Sequence, residues 1–345
     1  MNENTRPLMV TIQCIAFNHE PYIRQCLDGF VMQKTNFRFE AIVHDDASTD
    51  GTAAIVREYA EKYPDIIKPI FETENLYSKG GGFGLLQKIM DAHTHGKYVA
   101  FCEGDDYWTD PLKLQKQFDR LENHLECSIC FCKVNTINKD GRLQKGTIPQ
   151  NNASLPEIVT LNDFMHNEFC LGHWTFHTSS FFMRREIVDK FDNNMTHVFH
   201  NFPYGDMPLL LTGLLNGDGV YIDEAMGVYR MFSGGYNSFL LAHPENAIRD
   251  EKKLIQAMHD LDEYTKMKYH DKIYCRIRRG ELKIKKLSGD FRGLFERKYF
   301  PIYKMLGLKY TISTFLYTLS PRVFHYLKAL YNGHFYDIQS GSSSQ

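Results

Sequence analysis

Residues 96–108 have the sequence GKYVAFCEGDDYW, in which an apolar run ends in three acidic residues within four positions. The run 97–102 is too short for a helix and ends in an acidic, Gly-containing loop, which predicts a buried strand. The acidic residues therefore follow directly at the carboxyl end of that strand.

Three earlier apolar runs, 8–15, 38–44 and 66–71, have the same strand-like character. Helical patterns separate them, and a further helix is predicted from Pro111 to about residue 124. Strands that alternate with helices over about 130 residues indicate an α/β fold. We predict a Rossmann-like, mostly parallel sheet flanked by helices, followed by a helical C-terminal region beyond residue 245.

Two acidic loops lie at the carboxyl ends of predicted strands, at residues 45–50 and 103–106. Open parallel sheets bind ligands in the crevice beyond those ends. We therefore expect both loops to face one crevice.

The second loop contains Glu103, Asp105 and Asp106, whose carboxylates repel each other unless a cation lies between them. Oxygen ligands of this kind suit Mg²⁺ or Mn²⁺, with Asp105 and Asp106 as the predicted metal ligands. The alternative is a solvated acidic turn, since Asp and Gly favour turns.

The first loop contains Asp45 and Asp46 ahead of a predicted helix. Capping of that helix by Thr49 or Asp50 explains the loop only in part, because Asp45 and Asp46 precede the cap. An acid at this position can accept hydrogen bonds from a base N–H or a ribose hydroxyl.

Composition excludes several classes of protein. The chain has 345 residues and a formal net charge of −2, which argues against an electrostatic nucleic-acid binder. No run of 18 apolar residues predicts a membrane span, and the first residues lack the layout of a signal peptide.

The eight cysteines are scattered, several within strand-like runs, which favours free thiols in a reducing, cytoplasmic compartment. A zinc site at Cys127, Cys130 and Cys132 is not favoured, because no second pair of ligands follows at metal-site spacing.

Three segments together, VTIQCIAFNHEPYIRQCLDGF (10–30), EAIVHDDASTDGT (40–52) and GKYVAFCEGDDYW (96–108), resemble the nucleotide-sugar half of family 2 glycosyltransferases. The resemblance covers about residues 8–235 and is dense up to residue 125. It implies a GT-A fold and inverting transfer from a nucleotide-diphosphate sugar, with Mg²⁺ or Mn²⁺. UDP, the commonest leaving group in the family, is the expected nucleotide.

The resemblance also implies roles for single residues. Asp46, with Asp45, would contact the base, and Asp105 and Asp106 would take the role of the metal motif, whose first acid is here Glu103 instead of the usual Asp. Lys79 would meet the base or diphosphate, or is a solvated loop lysine. The residues expected to line the base pocket are Ala16, Phe17, Asn18 and Glu20.

In the second half, the family places its catalytic base at the start of a helix. The segment PYGDMPLLLTGLL makes Asp206 the candidate, with simple helix capping as the alternative role. Glu168 and Asp163 are weaker candidates, because nothing in the sequence places them at the crevice.

The segment GHWTFHTSS (172–180) suits sugar stacking and hydroxyl contacts, which predicts an acceptor wall made of His173, Trp174 and His177. Tyr229 and Arg230, followed by SGGYNS, resemble the family's loop that closes over the diphosphate, and Arg230 would neutralise the leaving group. Gly234 and Gly235 would let that loop move, whereas a surface turn is the alternative.

The predicted organisation follows these signals. A catalytic domain spans residues 1–245, with a nucleotide-sugar half at 8–125 and an acceptor half at 126–245. A helical region spans 246–338, and the tail 339–345 is predicted to be disordered.

Residues 271–330 contain 14 Lys or Arg against 4 Asp or Glu and are rich in aromatics. Such a segment can lie on an anionic membrane surface, pack on the catalytic domain or pair two subunits. The sequence leaves the three open.

We therefore predict a cytoplasmic transferase, either free or peripheral on the membrane, that acts on a glycan or lipid-linked acceptor in polysaccharide or cell-envelope synthesis. A non-catalytic relic of this fold, which binds a nucleotide or glycan, is one alternative. A sugar nucleotidyltransferase is another, ranked lower because no Gly-rich loop follows the first strand.

Overall fold

The computed structural model describes residues 6–138, 140–150, 153, 155–194, 196–231 and 243–319. Its strands are β1 (Leu8–Ala16), β2 (Arg38–Asp45), β3 (Ile67–Phe71), β4 (Tyr98–Phe101), β5 (Tyr107–Trp108), β6 (Cys127–Ile137), β7 (Leu143–Ile148), β8 (Ile158–Val159), β9 (Phe182–Arg184) and β10 (Asp218–Arg230). Its α-helices are α1 (Ile23–Val31), α2 (Thr52–Lys62), α3 (Gly82–Ala92), α4 (Lys113–Asn123), α5 (Leu161–Met165), α6 (Arg185–Asn194), α7 (Thr196–Phe199), α8 (Asp206–Asn216), α9 (Pro244–Tyr264), α10 (His270–Ser288) and α11 (Phe300–Leu319).

The strands form one sheet in the order β3-β2-β1-β4-β9-β6-β10-β5. Pairs within β3-β2-β1-β4 are parallel, as is β6 with β10, whereas β9 runs antiparallel to both of its neighbours. The predicted α/β fold is confirmed. Ala16 pairs with Asp45 and Gln13 with Phe101, so the ends of β1, β2 and β4 lie side by side.

Helix α1 shows why the first half folds as predicted. Its residues Ile23, Cys26, Leu27 and Phe30 are fully buried, at the spacing of one helical face. They share a core with inward-facing residues of β1 and β2, whose alternate side chains point to the two faces of the sheet.

The second core lies on the other face of the sheet. It joins residues of β4 and β6 to α5, α8 and also to α9 and α10, through Leu254, Ala257, Ile273 and Ile277. The predicted domain boundary at residue 245 stays a prediction. The helices that follow it, α9 and α10, pack into this second core.

The sequence pattern predicts short strands at 174–183, 219–222 and 226–231, and these bounds were wrong in two places. Residues 174–181 are not a strand, because the His177 side chain accepts from Ser179 N and closes a 3-10 turn over Thr178–Ser180. The predicted strands 219–222 and 226–231 are one continuous strand, β10, whose register shifts opposite β6 absorb the interruption.

All eight cysteines are free thiols and seven are buried, as expected from their strand-like surroundings. Within the ranges given above, no helix combines the length and apolar character needed to cross a membrane.

Candidate functional site

The acidic loop after β4 brings three carboxylates together. One oxygen each of Glu103, Asp105 and Asp106 lies within 4.8 Å of the others, and no other such group occurs among the described residues. Glu103 is exposed, Asp105 half-buried and Asp106 buried. The set offers hard oxygen ligands from the protein while one side stays open to a ligand.

The electrostatics of this triad favour a cation. Protein atoms around Glu103 in the cleft, then the charges of Asp105 and Asp206, raise the pKa of Glu103 to about 8. Burial, then Asp105 and Glu103, raises the pKa of Asp106 well above its usual range. Asp106 Oδ2 is buried and accepts no hydrogen bond within the described structure. An unsatisfied buried carboxylate oxygen is costly, and a divalent cation would satisfy it.

Gly104 lets the loop pack tightly between β1 and the triad. A Cβ at this position would lie 2.8 Å from His19 Nδ1 and 3.0 Å from the Ala16 Cβ. Gly104 N also donates to Ile15 O, and Asp106 N donates to Glu103 O, which closes a turn. The glycine therefore brings the carboxylates close to the end of β1.

Arg230, at the end of β10, lies behind the acidic loop and is only 6% exposed. Its backbone N donates to Asp106 Oδ1 at 2.9 Å, and its Nε donates to Asp105 O at 3.0 Å. The guanidinium also donates to Gln25 Oε1 and lies 4.4 Å from the Tyr22 ring centroid. In this conformation Arg230 braces the loop, whereas the role at a leaving group stays a prediction.

Asp206 is the first residue of α8, where Gly205, not Asp206, occupies the N-cap position. Its Oδ1 accepts from Met207 N at 2.7 Å, and burial raises its pKa. Its charge contributes, after burial and Asp105, to the raised pKa of Glu103, so the Asp206 carboxylate lies near the acidic triad. Two segments about 100 positions apart in the sequence thus converge on one cleft.

The weaker base candidates have structural partners. Asp163 forms a capping box with Thr160 at the start of α5. Glu168 Oε2 accepts from both the backbone N and the Oγ1 of Thr175, each at 2.8 Å. These contacts favour Asp206 over both.

The two acids of the first loop have different environments. Both oxygens of Asp46 accept backbone hydrogen bonds, Oδ1 from Leu76 N at 2.7 Å and Oδ2 from Tyr77 N at 3.1 Å. Asp45 Oδ2 accepts from Ser48 N, but its buried Oδ1 has no hydrogen-bond partner among the residues described. Asp45 is therefore better suited than Asp46 to meet a base N–H.

The predicted base-pocket residues mostly tie the first loop to the end of β1. Asn18 Oδ1 accepts from Thr49 N at 2.8 Å, and Glu20 Oε2 accepts from Gly51 N at 2.9 Å. Ala16 is fully buried, whereas Phe17 is 40% exposed and presents a ring that a base can stack on.

Trp174 and His177 lie together beside the triad. The Tyr229 ring is 5.3 Å from the Trp174 ring and 4.2 Å from the His177 ring, measured between centroids. His177 Nδ1 lies 3.5 Å from Asp106 Oδ2, and burial lowers the pKa of His177 to about 4. A half-exposed aromatic next to buried polar groups suits a sugar ring.

Other predicted site residues lie farther from this cluster. His173 Nδ1 contacts Asn167 Oδ1 at 3.3 Å, in the turn that follows α5. Lys79 is exposed and forms an ion pair with Glu74. Gly234 and Gly235 lie outside the described residues.

Sequence reasoning missed two residues of the site. His19 has a buried Nδ1 without a described partner, and its pKa is lowered by burial although Asp105, Asp50 and Asp45 oppose that shift. Gln25, on the exposed side of α1, holds Arg230. Only His19 had a signal, since it lies in the loop after β1. Tyr229, predicted to begin the closing loop with Arg230, instead completes the aromatic cluster.

Comparison with known proteins gives a consistent result. The model of the family "Glycosyl transferase family 2" matches residues 11–191 of the chain. The chain is 34% identical over 226 residues to the "uncharacterized protein Rv1520" of Mycobacterium tuberculosis. That alignment covers 66% of this chain, which spans only about 60% of the length of that relative.

Two solved structures are similar over nearly the whole chain. TarS 1–349 of Staphylococcus aureus in complex with UDP-GlcNAc has a TM-score of 0.57 at 19% identity, covering 95% of this chain and 89% of that one. The mannosyltransferase PcManGT of Pyrobaculum calidifontis, in complex with GDP-Man and Mn²⁺, has a TM-score of 0.55 at 16% identity, covering 97% and 89%. The predicted GT-A fold is confirmed by these likenesses.

Proposed function

Because the chain belongs to glycosyl transferase family 2, we propose that it is an inverting glycosyltransferase that moves a sugar from a nucleotide-diphosphate sugar to an acceptor hydroxyl. One observation carries this proposal most directly. The Asp206 carboxylate at the start of α8 lies near the triad after β4, since its charge contributes to the raised pKa of Glu103. Single displacement requires a base close to the donor site, which this proximity supports.

Asp105 and Asp106, with Glu103, would hold a Mg²⁺ or Mn²⁺ ion. The triad geometry and the unsatisfied Asp106 Oδ2 support this assignment. When bound, the ion supplies positive charge to the diphosphate oxygens. PcManGT, which shares the fold, was solved with Mn²⁺ and GDP-Man.

Asp206 would accept the proton of the acceptor hydroxyl. The hydroxyl oxygen then forms a bond to the anomeric carbon, while the bond from that carbon to the diphosphate oxygen breaks and its electrons leave with the nucleotide. Arg230 would hold the acidic loop in place, which keeps Asp105 and Asp106 directed at the donor.

The donor base would stack on Phe17 and donate its N–H to Asp45, the acid with an unsatisfied oxygen. Asn18 and Glu20 would shape the pocket from behind through their contacts with Thr49 and Gly51. We propose UDP as the nucleotide, as in the donor bound to TarS.

The acceptor would lie against Trp174, His177 and Tyr229. A polymeric or lipid-linked glycan of the cell envelope is the proposed class. TarS, which matches 151 residues at 28% identity, is described as a poly(ribitol-phosphate) β-N-acetylglucosaminyltransferase.

Calorimetric titration of UDP, GDP and dTDP, each with Mn²⁺ and with EDTA, tests the donor and metal sites together. We expect one nucleotide to bind with Mn²⁺ and to lose most of its affinity in EDTA. Asp105→Asn should abolish the difference between the two conditions, because it removes a ligand charge from the triad.

Asp65→Asn is the matched control, since Asp65 is exposed and distant in sequence from the triad. It should bind like the wild type. Equal nucleotide affinity with Mn²⁺ and EDTA in the wild type would contradict the metal assignment, and no binding of any nucleotide would favour the non-catalytic alternative.

A further inference from the structure

Helix α11 (Phe300–Leu319) has a break at Gly307, where φ is 81° and ψ is 177°. The break separates a first turn that packs inward from a second helical stretch, 308–319. Ile302 and Tyr303 of the first part are buried in the small C-terminal core with Leu294 and Tyr299. The part after Gly307 therefore starts at the surface of that core.

The inner side of the second stretch is fixed by contacts with α10. Thr314 is 1% exposed and accepts from Lys286 Nζ at 3.0 Å. The same Lys286 Nζ lies 4.7 Å from the centroid of the Tyr310 ring. These contacts determine which side of the helix faces outward.

The outer side is apolar. Leu308 is 74% exposed, Ile312 48%, Phe315 53% and Leu316 40%. Their spacing of four, seven and eight residues from Leu308 places them along one stripe of the helix. We call these four residues the α11 outer face; a contiguous exposed stripe of large apolar side chains indicates an interaction surface.

The charges on α11 itself have one sign. Residues 300–319 contain Lys304 and Lys309, both exposed, and no Asp or Glu. Ahead of α11, Lys298 pairs with Glu281 and Glu296, and Arg276 and Lys283 of α10 pair with Glu251. Helix α11 therefore adds only positive charge beside its apolar face.

We propose that the α11 outer face lies on an anionic lipid bilayer, with its apolar side chains at the level of the acyl chains and Lys304 and Lys309 among the headgroups. Among the described residues no helix, α11 included, is long and apolar enough to cross a membrane. An apolar stripe flanked by lysines is the pattern of a helix that lies in the membrane interface.

A second copy of the chain is a poorer occupant for this face. Two such faces would bring Lys304 and Lys309 of each copy together, and α11 itself carries no acidic residue to pair with them. Membrane binding through α11 is also independent of the proposed transfer reaction, because none of its residues lies in the acidic cleft.

Cosedimentation of the full chain with vesicles tests the proposal. Vesicles of phosphatidylcholine alone are compared with vesicles that also contain phosphatidylglycerol, at low and high salt. We expect binding to the anionic vesicles only, weakened by salt. Leu308→Ser with Phe315→Ser should lower the partition coefficient about 10- to 100-fold, and Lys309→Gln should lower it about fivefold.

Leu125→Ser with Leu143→Ser is the matched control, since these two side chains are 78% and 67% exposed far from α11 in the sequence. It should bind vesicles like the wild type, and circular dichroism checks the fold of every variant. Nucleotide titration of the α11 variant should match the wild type, which separates this test from that of the transferase.

Three outcomes would overturn the proposal. The first is equal binding to neutral and anionic vesicles, or to neither. The second is wild-type binding by the α11 variant. The third is a wild-type dimer in light scattering that the α11 substitutions convert to a monomer without any change in vesicle binding, which would assign the face to a second copy.

Discussion

Replacing Arg230 with Met should destabilise the protein by about 3 kcal/mol. The substitution removes hydrogen bonds from a charged donor to Asp105 O and Gln25 Oε1, each typically about 1.5 to 3 kcal/mol, and a cation–π contact with Tyr22 of about 1 to 2 kcal/mol. Neighbouring contacts are not additive, and Met restores part of the apolar packing, so the expected loss is below the sum.

The assay is chemical denaturation followed by circular dichroism. Arg230→Lys should recover less than half of the loss, because one ammonium cannot reach both acceptors in the geometry of a guanidinium. Arg120→Met is the control, since Arg120 forms an exposed ion pair with Glu157 and should change stability by less than about 0.5 kcal/mol.

The reasoning would be refuted by an Arg230→Met variant with the wild-type denaturation midpoint and weakened nucleotide affinity. That combination would mean that Arg230 turns toward the diphosphate in the bound state, as the sequence resemblance implies. A large stability loss with near-normal nucleotide affinity would instead establish it as a brace.

Other substitutions test the site and its surroundings. Asp206→Asn should leave nucleotide affinity unchanged and abolish transfer to a supplied acceptor, and retained turnover would place the base elsewhere. Asp46→Asn should lower thermal stability by about 1 to 3 kcal/mol, because one of its two backbone amides loses an acceptor, whereas Asp45→Asn should mainly weaken nucleotide binding; a reversed pattern would contradict the assignment. Gly172→Ala should cost about 1 to 3 kcal/mol in denaturation, because its φ is +75° and a Cβ would lie 1.9 Å from an arginine nitrogen of α10, while Gly146→Ala, in open space, should be neutral.

Much of the nucleotide half followed from local sequence. The bounds of strands 8–15 and 38–44 were predicted to within one residue of those observed. Apolar runs of this length, bounded by turn residues, usually form buried strands. The direction of a parallel sheet then places every loop after a strand at the same edge. The closeness of the two acidic loops followed from this alone.

The polar second half was harder to predict. The composition of residues 174–183 predicts a strand. In 174–181, however, hydroxyl and imidazole side chains form hydrogen bonds with nearby backbone groups, and these compete with the backbone hydrogen bonds between strands. The local sequence pattern could not predict the turn, because its formation depends on which hydrogen-bond partners these side chains have in the folded protein.

Sequence alone determined the order of strands and helices in the nucleotide half and the carboxylates at the strand ends there, because these depend on neighbours in the chain. Only the tertiary structure decided that Asp206 lies near Glu103, that Arg230 holds the acidic loop, and that Asp46 is satisfied by amides near Leu76 while Asp45 Oδ1 has no described hydrogen-bond partner. Each of these depends on contacts between segments from about 30 to more than 100 residues apart, and such contacts form only when the two cores pack against the sheet.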